Sequence, residues 1–218
     1  MGRIHETLEQ HAQNLRKLGV EVRVTTADAK DHEKLHAALE PYTGIDILIN
    51  NVGGTTSSPM ERATMEIWNQ TLALNLTANF VATHTLLPAM LAQGWGRIVN
   101  IASTAGLKGY SYVAPYCAAK HGVVGMTRAL AVELANTEIT VNAVCPGFTD
   151  TTMTRESVDR IKSATGLSTD QAYAELTAMN PQGRLVQLEE VASAVAWFCL
   201  PQAASTTGQA LAVAGGEV

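Results

Sequence analysis

Short apolar runs alternate along this chain with longer segments of helical period. Residues 5–18 read as a helix stopped by Gly19. Val20, Val22 and Val24 then alternate with Glu21, Arg23 and Thr25, the period-two pattern of a half-exposed strand over 20–26. A short helix is expected over 31–40, ended by Pro41, and a buried strand over 45–50, Ile-Asp-Ile-Leu-Ile-Asn. A long helix follows over 64–93, interrupted near its end by Pro88 and closed by Gly94 and Gly96. Residues 97–102 form the next strand, 115–135 a helix with Pro115 in its first turn, and 139–144 a strand stopped by Pro146-Gly147. Residues 148–186 are polar and broken, as a substrate lid would be. A helix over 189–200 and a strand over 209–213 complete the pattern.

Strand–helix alternation of this kind predicts an α/β fold: a Rossmann-like, doubly wound parallel sheet with helices on both faces. Ligands sit at the carboxyl ends of the strands in such sheets. That directs attention to Asp28, to Asn50 through Gly53, to Ser103, and to the stretch from Pro146 to Thr151.

The 218 residues suffice for one sizeable core, and a second full domain is not expected. Apolar residues make up 46% and charged residues 16%, against about 25% charged in ordinary soluble domains. Much surface must therefore be buried, under helices or against other subunits. A net charge of −5 gives no case for nucleic acid as a partner. No apolar run is long enough for a membrane span, and the first residues lack the apolar core of a secretion signal. The three cysteines, Cys117, Cys145 and Cys199, are far apart and odd in number, which fits free thiols in the cytoplasm. None lies beside a His or Cys at ligand spacing, so no metal site is expected.

Candidate chemistry centres on Tyr116 and Lys120, four apart and so on one helix face. By itself that spacing means little, and an ordinary surface pair is the bland alternative. Other features add weight. Ser103 stands just after a buried strand, thirteen residues before Tyr116. Asn75 lies within Leu72-Ala73-Leu74-Asn75-Leu76, a costly place for an unpaired amide. Asn50-Asn51-Val52-Gly53 closes the preceding strand in the same way.

Together, Asn50-Asn51-Val52-Gly53, Asn75, Ser103, Tyr116-x-x-x-Lys120 and Pro146-Gly147 resemble the short-chain dehydrogenase/reductase family in order and spacing, from about residue 5 onward. Within the family the chain is most similar to bacterial 3-oxoacyl reductases and hydroxyacyl dehydrogenases. The resemblance implies an oxidoreductase that interconverts a secondary alcohol and a ketone with NAD or NADP. Tyr116 would be the acid/base. Lys120 would lower its phenol pKa from the ordinary ~10 and hold the nicotinamide ribose. Ser103 would stabilise charge on the substrate oxygen. Asn75 would hold a water linking Lys120 to solvent. Asp28 and Ala29 would lie at the adenine, Asn50 and Gly53 along the adenosine, and Pro146, Gly147, Thr149 and Thr151 over the nicotinamide. The small-molecule alcohol or ketone would be selected by the 148–186 segment. Apolar positions on more than one face of two helices (Leu72, Leu76, Phe80 and Leu87; Val123, Val124, Leu130 and Leu134) fit a homo-oligomer, a dimer or the tetramer the family implies.

One family feature has no counterpart. A glycine-rich strand-to-helix turn, whose backbone N–H groups meet the pyrophosphate, is not found. Aligned by its motifs, the chain is expected to begin in the family's third element pair, without the first two strands of the 3-2-1-4-5-6-7 sheet. This leaves NAD versus NADP unreadable. It also leaves three expectations: a truncated enzyme, a shortened chain that pairs residues 20–26 directly with 45–50, or a non-catalytic oligomer-forming scaffold. Serine hydrolysis at Ser103 is disfavoured, because Ile101-Ala102-Ser103-Thr104-Ala105 is not a Gly-x-Ser-x-Gly elbow.

Overall fold

A computed structural model describes all of residues 1–218. The elements run α1 (His5–Arg16), α2 (His32–Leu39), β1 (Ile47–Asn50), α3 (Met65–Leu72), α4 (Ala78–Gln93), β2 (Gly96–Ile101), α5 (Ala114–Glu133), β3 (Ile139–Pro146), α6 (Thr152–Thr165), α7 (Thr169–Thr177), α8 (Leu188–Cys199) and β4 (Ala210–Val213). The four strands form one parallel sheet in the order β1-β2-β3-β4. Every consecutive pair is joined by a helical crossover, as parallel pairing demands.

Register explains which face each helix covers. Ile98 pairs with Val141 and Leu48, so these side chains share one face. There they pack against Ala82, Leu86 and Met90 of α4 and Ala131 of α5 in the largest core cluster. The alternate residues, Val99 and Val144, point the other way and meet Val195 and Phe198 of α8. The sheet is thus covered on both sides, and β2 and β3 show no alternation of buried and exposed positions because neither face meets water; even Arg97, Asn100, Thr140 and Asn142 are buried. β1 is different. It pairs only with β2, and Ile47 and Ile49, on the α8 side but beyond that helix, remain 40% and 47% exposed.

Two expectations require correction. Residues 20–26 form no strand: Thr26 makes a single bridge to Gly2, and Val20 is exposed. An alternating pattern becomes a strand only with a ladder partner, and Gly2 supplies one bridge rather than a ladder; direct pairing with 45–50 does not occur. Pro88 does not interrupt its helix, and α4 runs on to Gln93. The proline removes one N–H, but buried Leu86 and Met90 anchor the turns on either side against the sheet. The break in the long helix comes earlier, where Ala73–Thr77 form one π-helical turn.

The 148–186 segment holds α6 and α7 around a small core of its own, Val158, Ala172 and Leu176. Thr149 and Val186, at its two ends, bridge in parallel, so the segment is pinned beside the end of β3. No helix is long and apolar enough to cross a membrane.

Candidate active site

The carboxyl ends of β1, β2 and β3 open into one cavity of about 1000 Å³. Among the residues lining it are Asn51, Gly53, Ser103, Tyr116, Lys120 and Gly147. Ser103 arrives there because β2 ends at Ile101. Its extended backbone starts a single 3-10 turn over Thr104–Gly106, and its hydroxyl accepts from Ala105 N at 3.1 Å. Tyr116 and Lys120 come from the first two turns of α5, whose Pro115 supplies a helical φ where no N–H is needed.

Lys120 is buried, and its Nζ donates to the Ile101 carbonyl at 2.8 Å, the last residue of β2. That anchor places Nζ 5.6 Å from the centre of the Tyr116 ring. Burial pulls the ammonium down to about 8, and the neighbouring Cys145 opposes the fall. The Tyr116 phenol is pushed above its ordinary value, chiefly by burial, while a hydrogen bond with Ser103 pulls it back. This reverses the expected direction: Lys120 does not depress Tyr116 here, since loss of water outweighs a charge 5.6 Å from the ring centre. Burial therefore favours the neutral phenol of Tyr116 over the phenolate in the resting site.

Asn75 occupies the π turn, a device often found at functional sites. Its amide donates to Gly54 O at 2.8 Å and Thr71 O at 2.9 Å, and its Oδ1 accepts from Gly54 N at 3.1 Å. A fully buried amide is thereby satisfied by clamping the loop after β1. The clamp explains why Gly53 is bare. A Cβ there would stand 2.9 Å from Asn75 Oδ1 and 3.4 Å from Lys120 Nζ.

Not every expected residue joins this cluster. Asn50 turns inward, donating to Thr83 and to Asn100 Oδ1 at 2.9 Å, and Asn51 lines the cavity in its place. Asp28 accepts from Lys30 N in a local turn, and Ala29 is buried in the core; neither lines the cavity. Pro146, Gly147, Thr149 and Thr151 all do. Residues that sequence reasoning passed over include Asn100, Tyr110, Phe148 and Glu217. Asn100, a polar residue inside the apolar run of β2, carried a readable signal; Glu217 carried none.

A nicotinamide cofactor fits these groups. Bare backbone at Gly53 faces Lys120, whose ammonium has three N–H groups and commits one to Ile101. Glycine pairs lie after β1 and after β4, but neither leads directly into a helix.

A two-faced parallel α/β sheet with Ser, Tyr and Lys converging at its carboxyl edge defines a dinucleotide-dependent alcohol/ketone oxidoreductase. Comparison with known proteins makes the assignment specific. The model of the short chain dehydrogenase family matches residues 1–162. A putative ketoacyl reductase of Streptomyces coelicolor is 43% identical over 217 residues, covering 97% of this chain and 83% of that protein. A 3-oxoacyl-(acyl-carrier-protein) reductase of Vibrio cholerae is 37% identical over 198 residues, 91% of this chain and 76% of its own. A crystal structure of an actinorhodin polyketide ketoreductase variant with NADPH superposes at a TM-score of 0.93 with 42% identity, over 99% of this chain and 85% of that one. The chain belongs to the short-chain dehydrogenase/reductase family of NAD(P)-dependent oxidoreductases.

Proposed function

We propose that this chain is a ketoacyl reductase that uses NADPH to reduce a ketone on an acyl or polyketide-like chain. The observation that carries this reading is the state of the Ser103/Tyr116/Lys120 cluster, a protonated phenol beside a buried ammonium at the wall of a cavity large enough for both cofactor and substrate. The likeness to the two ketoacyl reductases supports the substrate class, and the NADPH-bound relative supports NADPH over NADH.

The bound cofactor would supply a hydride to the carbonyl carbon. The chain's own residues manage the oxygen. The Ser103 hydroxyl donates a hydrogen bond to it, and Tyr116 gives up its phenolic proton as negative charge develops. Lys120, at 5.6 Å from the ring centre, stabilises the phenolate left behind and offers its remaining N–H groups to the nicotinamide ribose. Asn75 holds the 53–54 loop in place and keeps the approach to Lys120 open for the water that returns a proton. Gly53, Pro146, Gly147, Thr149 and Thr151 line the cofactor's part of the cavity, while Asn50, Asp28 and Ala29 lie outside its lining and would act on the adenosine side only through the backbone they hold. Phe148, Met153, Ile161, Leu176 and Met179 give the remaining wall an apolar character suited to an acyl chain.

The 148–186 segment acts as the substrate-selecting lid. Phe80 on α4 and Val132 on α5 are 53% and 79% exposed, and these helices would pack copies of the chain into a dimer or tetramer. Three free cysteines support a cytoplasmic enzyme. The deciding experiment is an NADPH-binding titration by fluorescence, followed by reduction of a 3-oxoacyl thioester. NADPH binding with turnover upholds the reading, and no binding at millimolar cofactor overturns it.

A further inference from the structure

Beyond the reacting cluster, one carboxylate is buried with an unusual set of partners. Glu217 follows the Gly215-Gly216 turn after β4, and both glycines have the positive φ that folds the chain back across the ends of β3 and β4. Its side chain is 2% exposed. Oε1 takes the Tyr110 hydroxyl at 2.5 Å and Lys108 Nζ at 3.1 Å, while Oε2 is buried without a partner. Lys108 also donates to the Glu217 backbone carbonyl at 3.3 Å. A carboxylate taken out of water is retained only when charge and hydrogen bonds hold it, so two contacts to Oε1 and a third to the backbone carbonyl, all from one loop, make this a built cluster.

The cluster reaches the substrate wall by two routes. Tyr110 has a single proton and two oxygen neighbours, Glu217 Oε1 and Thr104 Oγ1, the latter at 2.6 Å. The carboxylate is the stronger acceptor, so the phenol donates to it and Thr104 donates to the phenol. Thr104 is the residue next to Ser103. The second route is aromatic. The Tyr110 ring stands edge-on to Phe148, with centroids 6.2 Å apart and an interplanar angle of 89°. Both rings line the cavity. Gly147, beside Phe148, fits because it has no side chain: a Cβ there would come within 3.0 Å of Glu217 Oε2.

We propose that Glu217 is a positioning residue for the substrate: its buried carboxylate holds Tyr110 and Lys108, fixing loop 104–112 and the Tyr110–Phe148 aromatic wall against which the ketone-bearing chain packs. This rests on the ketoacyl reductase reading for the identity of that chain, but the tie between Glu217 and the loop does not. It assigns substrate fit to a residue that touches neither the cofactor nor the reacting oxygen.

The test compares Glu217→Gln, Tyr110→Phe and the double variant with the parent, using a 3-oxoacyl thioester and NADPH. Glu217→Gln keeps the shape and removes the charge. The expected result is a KM for the thioester raised about tenfold, with kcat changed less than twofold and NADPH affinity unaltered. Tyr110→Phe should act alike, and the double variant should be no worse than the more affected single, since both break the same tie. An unmoved KM, or kcat falling in step with NADPH affinity, overturns the proposal. Hydrogen exchange is read on the same proteins without substrate. Faster exchange confined to 104–112 in Glu217→Gln supports the tie, and unchanged or uniformly faster exchange overturns it. Should the parent reduce no ketone, the reductase reading fails and the exchange result alone decides the role of Glu217.

Discussion

Lys120 is buried as a cation with a single carbonyl for a partner, and this sets up a measurable conflict between stability and function. Its pKa falls from 10.5 to about 8 on folding, with loss of water as the main cause. For a base whose folded pKa is depressed, the unfolded chain holds the proton more tightly, so the penalty is fully present below the folded value. It is relieved as pH rises from about 8 toward 10.5. A gap of about 2.5 in pKa at 1.36 kcal/mol each corresponds to about 3 kcal/mol, of which roughly 2 kcal/mol is recovered between about pH 7 and pH 9.5. Lys120→Met removes the charge and leaves the Ile101 carbonyl without its partner, a loss of about 1–3 kcal/mol that does not depend on pH. The difference in stability between parent and variant therefore shifts with pH, whichever of the two is the more stable at a given pH. Guanidinium unfolding of both proteins at the two pH values checks this. The parent should gain about 2 kcal/mol on the variant at the higher pH. Parallel pH dependences would refute the claim that Lys120 is a desolvated ammonium.

Three further outcomes follow from the same geometry. Because the Lys120 ammonium must stabilise the Tyr116 phenolate, kcat for ketone reduction should fall as pH rises through about 8, while Tyr116 itself, shifted upward, stays protonated; a flat profile to pH 10 in steady-state assays would contradict this. Gly53→Ala places a Cβ 2.9 Å from Asn75 Oδ1 and narrows the approach to Lys120, and should weaken NADPH binding by about tenfold in a fluorescence titration; unaltered affinity would count against cofactor placement at Gly53. Asn100→Ala strips Asn50 Nδ2 of an acceptor and Thr127 Oγ1 of a donor in the buried Asn50–Asn100–Thr127 chain, with an expected loss of about 2–4 kcal/mol in chemical denaturation.

Much of this arrangement was legible before the structure. Strands β1, β2 and β3 are largely apolar runs with glycine or proline near their ends, and the helices between them carry clear period and stop signals, so the doubly wound sheet followed. Tyr116, Lys120 and Ser103 were readable because their spacing places them at a strand end and on one helix face. Residues 20–26 misled because alternation records a preference that needs a ladder, and the segment makes only the one bridge from Thr26 to Gly2. Pro88 misled because core burial of Leu86 and Met90 outweighs one lost hydrogen bond. The upward shift of Tyr116 depends on burial, which no motif encodes. Glu217 was illegible for a related reason: a single Glu after two glycines reveals nothing until the turn brings it 107 residues back to Tyr110.

The central claim is that Tyr116 donates the proton in an NADPH-dependent ketone reduction. The most direct measurement is a single-turnover comparison of parent and Tyr116→Phe, each saturated with NADPH and mixed with a 3-oxoacyl thioester. The phenyl ring keeps the packing and removes the hydroxyl, and with it the proton and the hydrogen bond to Ser103. The account predicts that NADPH affinity stays within a few-fold while reduction falls by at least 10²-fold, about 3 kcal/mol of transition-state stabilisation. Reduction at the parent rate in Tyr116→Phe would contradict it.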